Sequence, residues 1–221
     1  AQEVVDGDKK LVDASTERIA FDGHSSKMLD CCDANLDGTP ITDFSGIAPY
    51  KFGFGAEKKT YLYFDGTLGK ALPMEYKGTD KILDLDVYKY EQVIEPTQYA
   101  ELEVPGALVG APELTAYKAP RFYSNTRTVW VEPVTGAVVR GQEDQKQYLA
   151  APDGSEGLVL LAAQLGFTEA NTANAVKTAK DGSSQLTLIQ STVPLVGLIG
   201  GLVLGGLGLW MVLGARREEN E

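Results

Sequence analysis

The chain has 221 residues, with 20 Lys and Arg against 31 Asp and Glu, a formal net charge of −11 and an isoelectric point near 4.6. That balance argues against a nucleic-acid binder and against a polybasic lipid-binding surface, since both rest on clustered cations. An acidic domain attracts a cationic partner or serves only solubility, and the length suffices for one sizeable domain with its own core.

In chain order, the first features fall in a loop-rich stretch. His24, the only histidine, lies in the loop phrase Gly23-His24-Ser25-Ser26 and reads as a surface residue rather than a base. Cys31 and Cys32 are neighbours in the sequence. Thiols outside the cytoplasm tend to oxidise, and a bond between adjacent cysteines holds their Cα atoms about 3.8 Å apart, below the usual range of about 4.4–6.8 Å. The alternatives are a vicinal disulfide that locks a loop or switches with redox state, two inert thiols, or a bridge to a partner. Asp33-Ala34-Asn35-Leu36-Asp37-Gly38 follows with the D-x-N-x-D-G spacing of a calcium loop, in which oxygen ligands alternate and glycine makes the turn. Phe44 stands where the bidentate glutamate belongs, so an EF-hand is excluded. A looser calcium site on Asp33, Asn35 and Asp37 and a plain Asx-rich turn are both open; no other cofactor is expected.

From there to the last helices the chain reads mainly as strands. Tyr61–Phe64 and Val87–Ile94 are rich in aromatic and β-branched residues with polar ones between. The charge-dense phrases Glu57-Lys58-Lys59 and Lys77–Lys81 read as solvated edges that discourage strand pairing. Tyr99–Ala119, with Pro105 and Pro112, reads as a long surface excursion. Thr128–Glu132, a turn at Pro133–Gly136 and Ala137–Arg140 form the clearest hairpin signal, with Trp130 a core side chain. Leu158–Phe167 is an apolar run that suits a buried strand or a short helix, and the turn signals around it favour the strand. From Thr168, a good N-cap, the alanine-rich sequence suits a helix.

Val193–Leu213 contains no charged side chain. As a helix it is roughly 30 Å long at about 1.5 Å per residue, the thickness of a bilayer's hydrocarbon core. Gly197, Gly201 and Gly205 recur at every fourth residue, which places them on one face and admits another backbone. Trp210 sits where an interfacial aromatic belongs, and Arg216 and Arg217 follow the apolar end directly. The positive-inside rule then puts the tail in the cytoplasm and the preceding domain outside. The expected organisation is a mainly β (α+β) extracytoplasmic domain over 1–182, a connector over 183–192, a transmembrane helix over 193–213 and a cytoplasmic tail over 214–221. Export of such a domain calls for a cleaved signal peptide or an N-terminal helix ahead of Ala1.

Signs of catalysis are sparse. There is no G-x-S-x-G elbow, no phosphate-cradling glycine loop and no C-x-x-C. Carboxylate pairs such as Glu143 and Asp144 face opposite ways in a strand, which is poor geometry for glycoside hydrolysis. No enzymatic activity is expected.

Phe52–Tyr76 (FGFGAEKKTYLYFDGTLGKALPMEY) and Val129–Gln145 (VWVEPVTGAVVRGQEDQ) resemble the actinobacterial porin PorA family, also described as DUF3068. Order and spacing agree from about Lys51 to Leu213, although Phe64 stands where the family tends to have tryptophan. The resemblance implies an extracytoplasmic β-rich domain held by a helix at each end. It leaves two function classes. The first is a non-catalytic accessory subunit of a larger membrane complex, foremost the respiratory cytochrome supercomplex. Its helix would pack through the glycine face, and its acidic domain would contact extracytoplasmic protein partners. The alternative is an envelope porin of the PorA type, for which a lone helix must oligomerise, or an extracytoplasmic ligand-binding module. The lipid bilayer is a partner in each case, nucleic acid in none.

Overall fold

The computed structural model describes the backbone of residues 2–5 and 11–218, and side chains over 15–190 and 192–208. The N-terminal part is a set of short antiparallel pieces. Strands β1 (Gln2–Val5) and β2 (Leu11–Ser15) pair as a ribbon. They are followed by β3 (Glu17–Arg18), β4 (Ala20–Phe21), β5 (Met28–Leu29), β6 (Asn35–Leu36) and β7 (Thr39–Pro40). The main body is a six-stranded antiparallel sheet, and each strand pairs with the next in sequence. Its strands are β8 (Tyr61–Asp65), β9 (Lys70–Ile82), β10 (Leu85–Val104), β11 (Tyr117–Val131), β12 (Val138–Ala150) and β13 (Glu156–Gly166).

The strands expected at Tyr61–Phe64 and Val87–Ile94 form β8 and the first half of β10; the apolar run near Leu158 forms β13, a strand as expected but an edge strand with exposed and half-exposed residues rather than a buried one. The expected hairpin closes β11 onto β12 through Pro133–Gly136. The surface excursion expected over Tyr99–Ala119 is shorter than anticipated. Pairing resumes beyond Pro96, from Thr97 opposite Tyr123 to Val104 opposite Tyr117, and leaves only 105–116 as the link. Pro96 has no N–H to give the ladder, and it sits where the register shifts, the place at which a sheet tolerates proline.

Side-chain alternation gives the sheet two unlike faces. One face carries Tyr63, Met74, Tyr90 and Val129, which are buried with Ile47, Phe52 and Ala56 of the segment before β8. The other face is covered in part by helix α1 (Glu169–Thr187), whose Val176 and Ala179 pack on Val87, Trp130 and Val139. Thr168 supplies the cap, its hydroxyl accepting from the Asn171 N–H at 3.1 Å. Elsewhere this second face is mixed: Glu75, Lys77 and Glu91 form ion pairs along it, with Lys77 to Glu75 at 2.8 Å and to Glu91 at 3.5 Å, beside exposed Val93 and the stacked rings of Phe122 and Tyr148.

The chain divides into two units at Ala179 and Lys180. In the second, α1 ends, a π-helical turn spans Leu188–Thr192, and α2 runs Val193–Glu218. Residues 183–192, expected as a connector, are therefore helical.

Candidate functional site: membrane helix, motif junction and buried ionic cluster

Helix α2 is long and apolar enough to cross a membrane. Leu202, Val203 and Leu204 follow one another around it and stand 69, 56 and 71% exposed, so apolar surface faces outward in every direction. Such a helix needs lipid or other helices around it. Gly197, Gly201 and Gly205 lie along one side, and a Cβ built at any of them meets no atom within 4 Å. No neighbour among the described residues therefore requires glycine there. Trp210, Arg216 and Arg217 belong to α2 by backbone, with side chains outside the described residues.

Cys31 and Cys32 are joined in a vicinal disulfide with Cα atoms 3.8 Å apart, on an exposed turn. Two side-chain oxygens of the neighbouring D-x-N-x-D-G phrase accept bonds from within the chain. Asp37 Oδ1 accepts from the Thr16 N–H and hydroxyl at 2.6 and 3.1 Å, and Asn35 Oδ1 accepts from the Gly38 N–H at 3.0 Å. Asp33 pairs loosely with Arg18 at 3.9 Å. Among the described residues no three His, Cys, Asp or Glu side chains converge as metal ligands. This is the geometry of an Asx-rich turn.

The two phrases that carry the family resemblance meet in space. Phe52 N–H donates to the Gly136 carbonyl at 2.8 Å, Gly55 N–H to Val134 at 3.0 Å and Ala56 N–H to Pro133 at 2.7 Å. Phe52 is fully buried and stacks on Tyr90 at 4.7 Å between ring centres, with Tyr61 edge-on at 5.0 Å. In the hairpin, Glu132 is buried yet its carboxylate is satisfied. It accepts from the N–H groups of Val134 and Thr135 at 3.0 and 2.7 Å and from the Thr135 hydroxyl at 2.6 Å. The VEP-TG phrase thus encodes a self-capped turn, and the FGFGA phrase is the segment that docks on it.

Across the same face as Tyr90, the sheet curls until β8 touches β11. Asp65, wholly buried, receives Arg127 Nη2 at 3.1 Å and the Tyr123 hydroxyl at 3.1 Å on one oxygen, and the Leu68 N–H at 2.9 Å on the other. Arg127 also donates through Nε to Glu143 at 2.7 Å and through Nη1 to Gln92 Oε1 at 2.7 Å. Asn125 and Gln145 donate to the second Glu143 oxygen at 2.8 and 2.5 Å. Every carboxylate oxygen of the pair is occupied, so the cluster is built as a tie rather than as a proton-transfer site.

Burial alone would push the Glu143 carboxyl up, but the Arg127 charge and the bonds from Arg127, Gln145 and Asn125 outweigh it and hold it below the usual range. Burial also disfavours the Arg127 cation, and the Glu143 and Asp65 carboxylates more than offset that, so its guanidinium stays charged. Tyr63, beneath the cluster, is pushed up to about 12 by burial. A carboxyl whose folded pKa is depressed contributes stability that is present above its unfolded value, about 4.3, and is lost as pH falls through the folded value. Glu143→Gln is therefore expected to lower stability at neutral pH and to flatten the decline below about pH 5. Denaturant midpoints followed by tryptophan fluorescence at several pH values read this directly. Parallel curves for the two proteins would remove Glu143 from the acid response.

Sequence inspection did not single out Asp65, Arg127 or Asn125. A hint was present: a strand-length stretch, Tyr123–Val131, sets Asn125 and Arg127 on the same alternation as buried Tyr123 and Val129.

A mainly β domain followed by a candidate C-terminal membrane helix defines the class of protein. The porin PorA family model matches residues 1–210, and the chain belongs to that family. A porin PorA of Corynebacterium resistens is 25% identical over 285 aligned positions, covering 96% of this chain and 69% of the relative. One of Corynebacterium amycolatum is 28% identical over 171 positions, covering 66% of this chain and 44% of the relative. The chain thus spans about two thirds of the first relative and under half of the second. Both relatives carry the name of a porin, which favours the channel alternative over the respiratory-complex expectation.

Proposed function

We propose that this chain is a non-catalytic component of an envelope channel and works as an oligomer. Its β-domain lies outside the cytoplasmic membrane and its tail inside. Family membership over residues 1–210 carries this reading. The orientation follows from Arg216 and Arg217 at the apolar end of α2. A single helix encloses no pore, so the conducting path must arise between copies, with Gly197, Gly201 and Gly205 letting α2 helices come close. The outer sheet face carries the charges of Glu75, Lys77 and Glu91, which are costly on a lipid-facing barrel wall, and this favours assembly through helices over insertion of these strands. The net charge of −11 would enrich cations at the mouth, so conductance should favour cations.

The test is single-channel recording with the purified full-length chain in planar bilayers. Cation-selective steps that vanish in Gly201→Leu, with the domain still folded, support the proposal. A folded chain that gives no steps, yet brings cytochromes with it at fixed stoichiometry from mildly solubilised membranes, would return the accessory-subunit alternative to first place. Persistence of assembly in Gly201→Leu would show the glycine face to be only permissive.

A further inference from the structure

We infer that the free edge of β13 is a self-association strand, which pairs antiparallel with β13 of a second copy of this chain. The six-stranded sheet has two ends, β8 and β13. Ile47 closes the β8 end: its N–H donates to the Leu62 carbonyl at 2.8 Å, and the Phe64 N–H donates to the Ile47 carbonyl at 3.1 Å. Among the described residues β13 pairs only with β12.

The outward backbone groups can be named. Phe167 N–H donates to Gly141 at 3.0 Å, and Leu165, Ala163 and Leu161 stand opposite Glu143, Gln145 and Gln147. By antiparallel alternation these odd-numbered residues bond to β12, so Ala162, Gln164 and Gly166 offer their N–H and C=O groups to the open side. All three are exposed and two are small, which admits another backbone.

The edge also lacks the usual protection. Gly157–Phe167 holds no charge and no proline, and exposes Leu158, Val159, Leu160 and Phe167. In a chain of net charge −11, this neutral stretch is where a second copy can approach without setting carboxylate against carboxylate. A two-fold antiparallel pairing of identical strands is isologous and closes as a dimer. An 11-residue strand is roughly 37 Å long. A strip about 10 Å wide then buries roughly 750 Å² in total, below the roughly 1,200 Å² of a stable soluble complex. Anchorage of both copies in one membrane raises their effective concentration and makes up that shortfall. The evidence for the edge is independent of the channel proposal, though the two are compatible.

The experiment counts subunits of the full chain reconstituted in lipid vesicles, by stepwise photobleaching, in the Gly201→Leu background that removes close helix packing, with Gln164 intact, with Gln164→Lys and with Gln164→Pro. Neither Gln164 substitution removes a bond to β12. The expected result is two subunits with Gln164 intact, falling to one in both variants, with near-ultraviolet dichroism and melting unchanged. A monomer with Gln164 intact, or dimers that persist in both folded variants, would overturn the inference. Conductance of the Gln164 variants with Gly201 intact reports on the channel separately, so the two ideas can fail apart.

Discussion

Arg127→Ala is expected to destabilise the β-domain by about 3–5 kcal/mol, the usual cost of breaking a buried ion pair from one side. Three groups lose their partner at once. Asp65, with no exposed side-chain surface, keeps only the Tyr123 hydroxyl and the Leu68 N–H against its charge. Glu143 loses the Arg127 Nε bond at 2.7 Å, and Gln92 loses the donor to its Oε1 while its Nε2 stays bound to the Tyr63 and Leu72 carbonyls at 3.0 and 3.2 Å. Because the damage is an uncompensated charge and not lost area, removing the charge should restore much of it. Arg127→Met combined with Asp65→Asn is therefore expected to be more stable than Arg127→Met alone. Urea unfolding of the full chain in mild detergent, run as a double-mutant cycle, measures the coupling. A single-mutant loss below about 1 kcal/mol would mean that the cluster does not tie β8 to β11.

The sequence exposed the parts of this protein that repeat a simple pattern. Alternation located β8, the first half of β10 and the hairpin of β11 and β12, and an uncharged run located α2. It did not expose β3 to β7, each only two residues long, because two residues establish no period. The second half of β10 was hidden by Pro96 and by faces that are both largely solvated there, so apolar and polar residues do not alternate cleanly. The ionic cluster was invisible for a different reason. Asp65 and Arg127 are far apart in the chain, and only the curl of the sheet brings β8 across to β11. The family phrases, by contrast, were legible as words but not as physics. Their meaning is that one segment is docked on one turn.

That docking gives the second large effect. Gly136 has φ of +72°, and a Cβ there would run into the backbone carbonyls of Phe52 and Gly53. Neither obstacle is a side-chain tip that can swing aside, and Phe52 is pinned between Tyr90 and Tyr61. Gly136→Ala therefore carries left-handed strain of about 1–2 kcal/mol and an overpacking term of about 1–3 kcal/mol. The result should be a loss of about 2–5 kcal/mol, together with release of the 52–56 segment. Gly154 separates the two terms: its φ is +82°, but a Cβ there meets nothing within 4 Å. Gly154→Ala should show the strain alone, about 1–2 kcal/mol. Hydrogen exchange at the Phe52, Gly55 and Ala56 amides, which bond to the hairpin at 2.7–3.0 Å, should speed up in Gly136→Ala and not in Gly154→Ala. Equal losses in the two variants, with those amides still protected, would show that the junction yields at little cost. The two family phrases would then be neighbours in space without being coupled in stability.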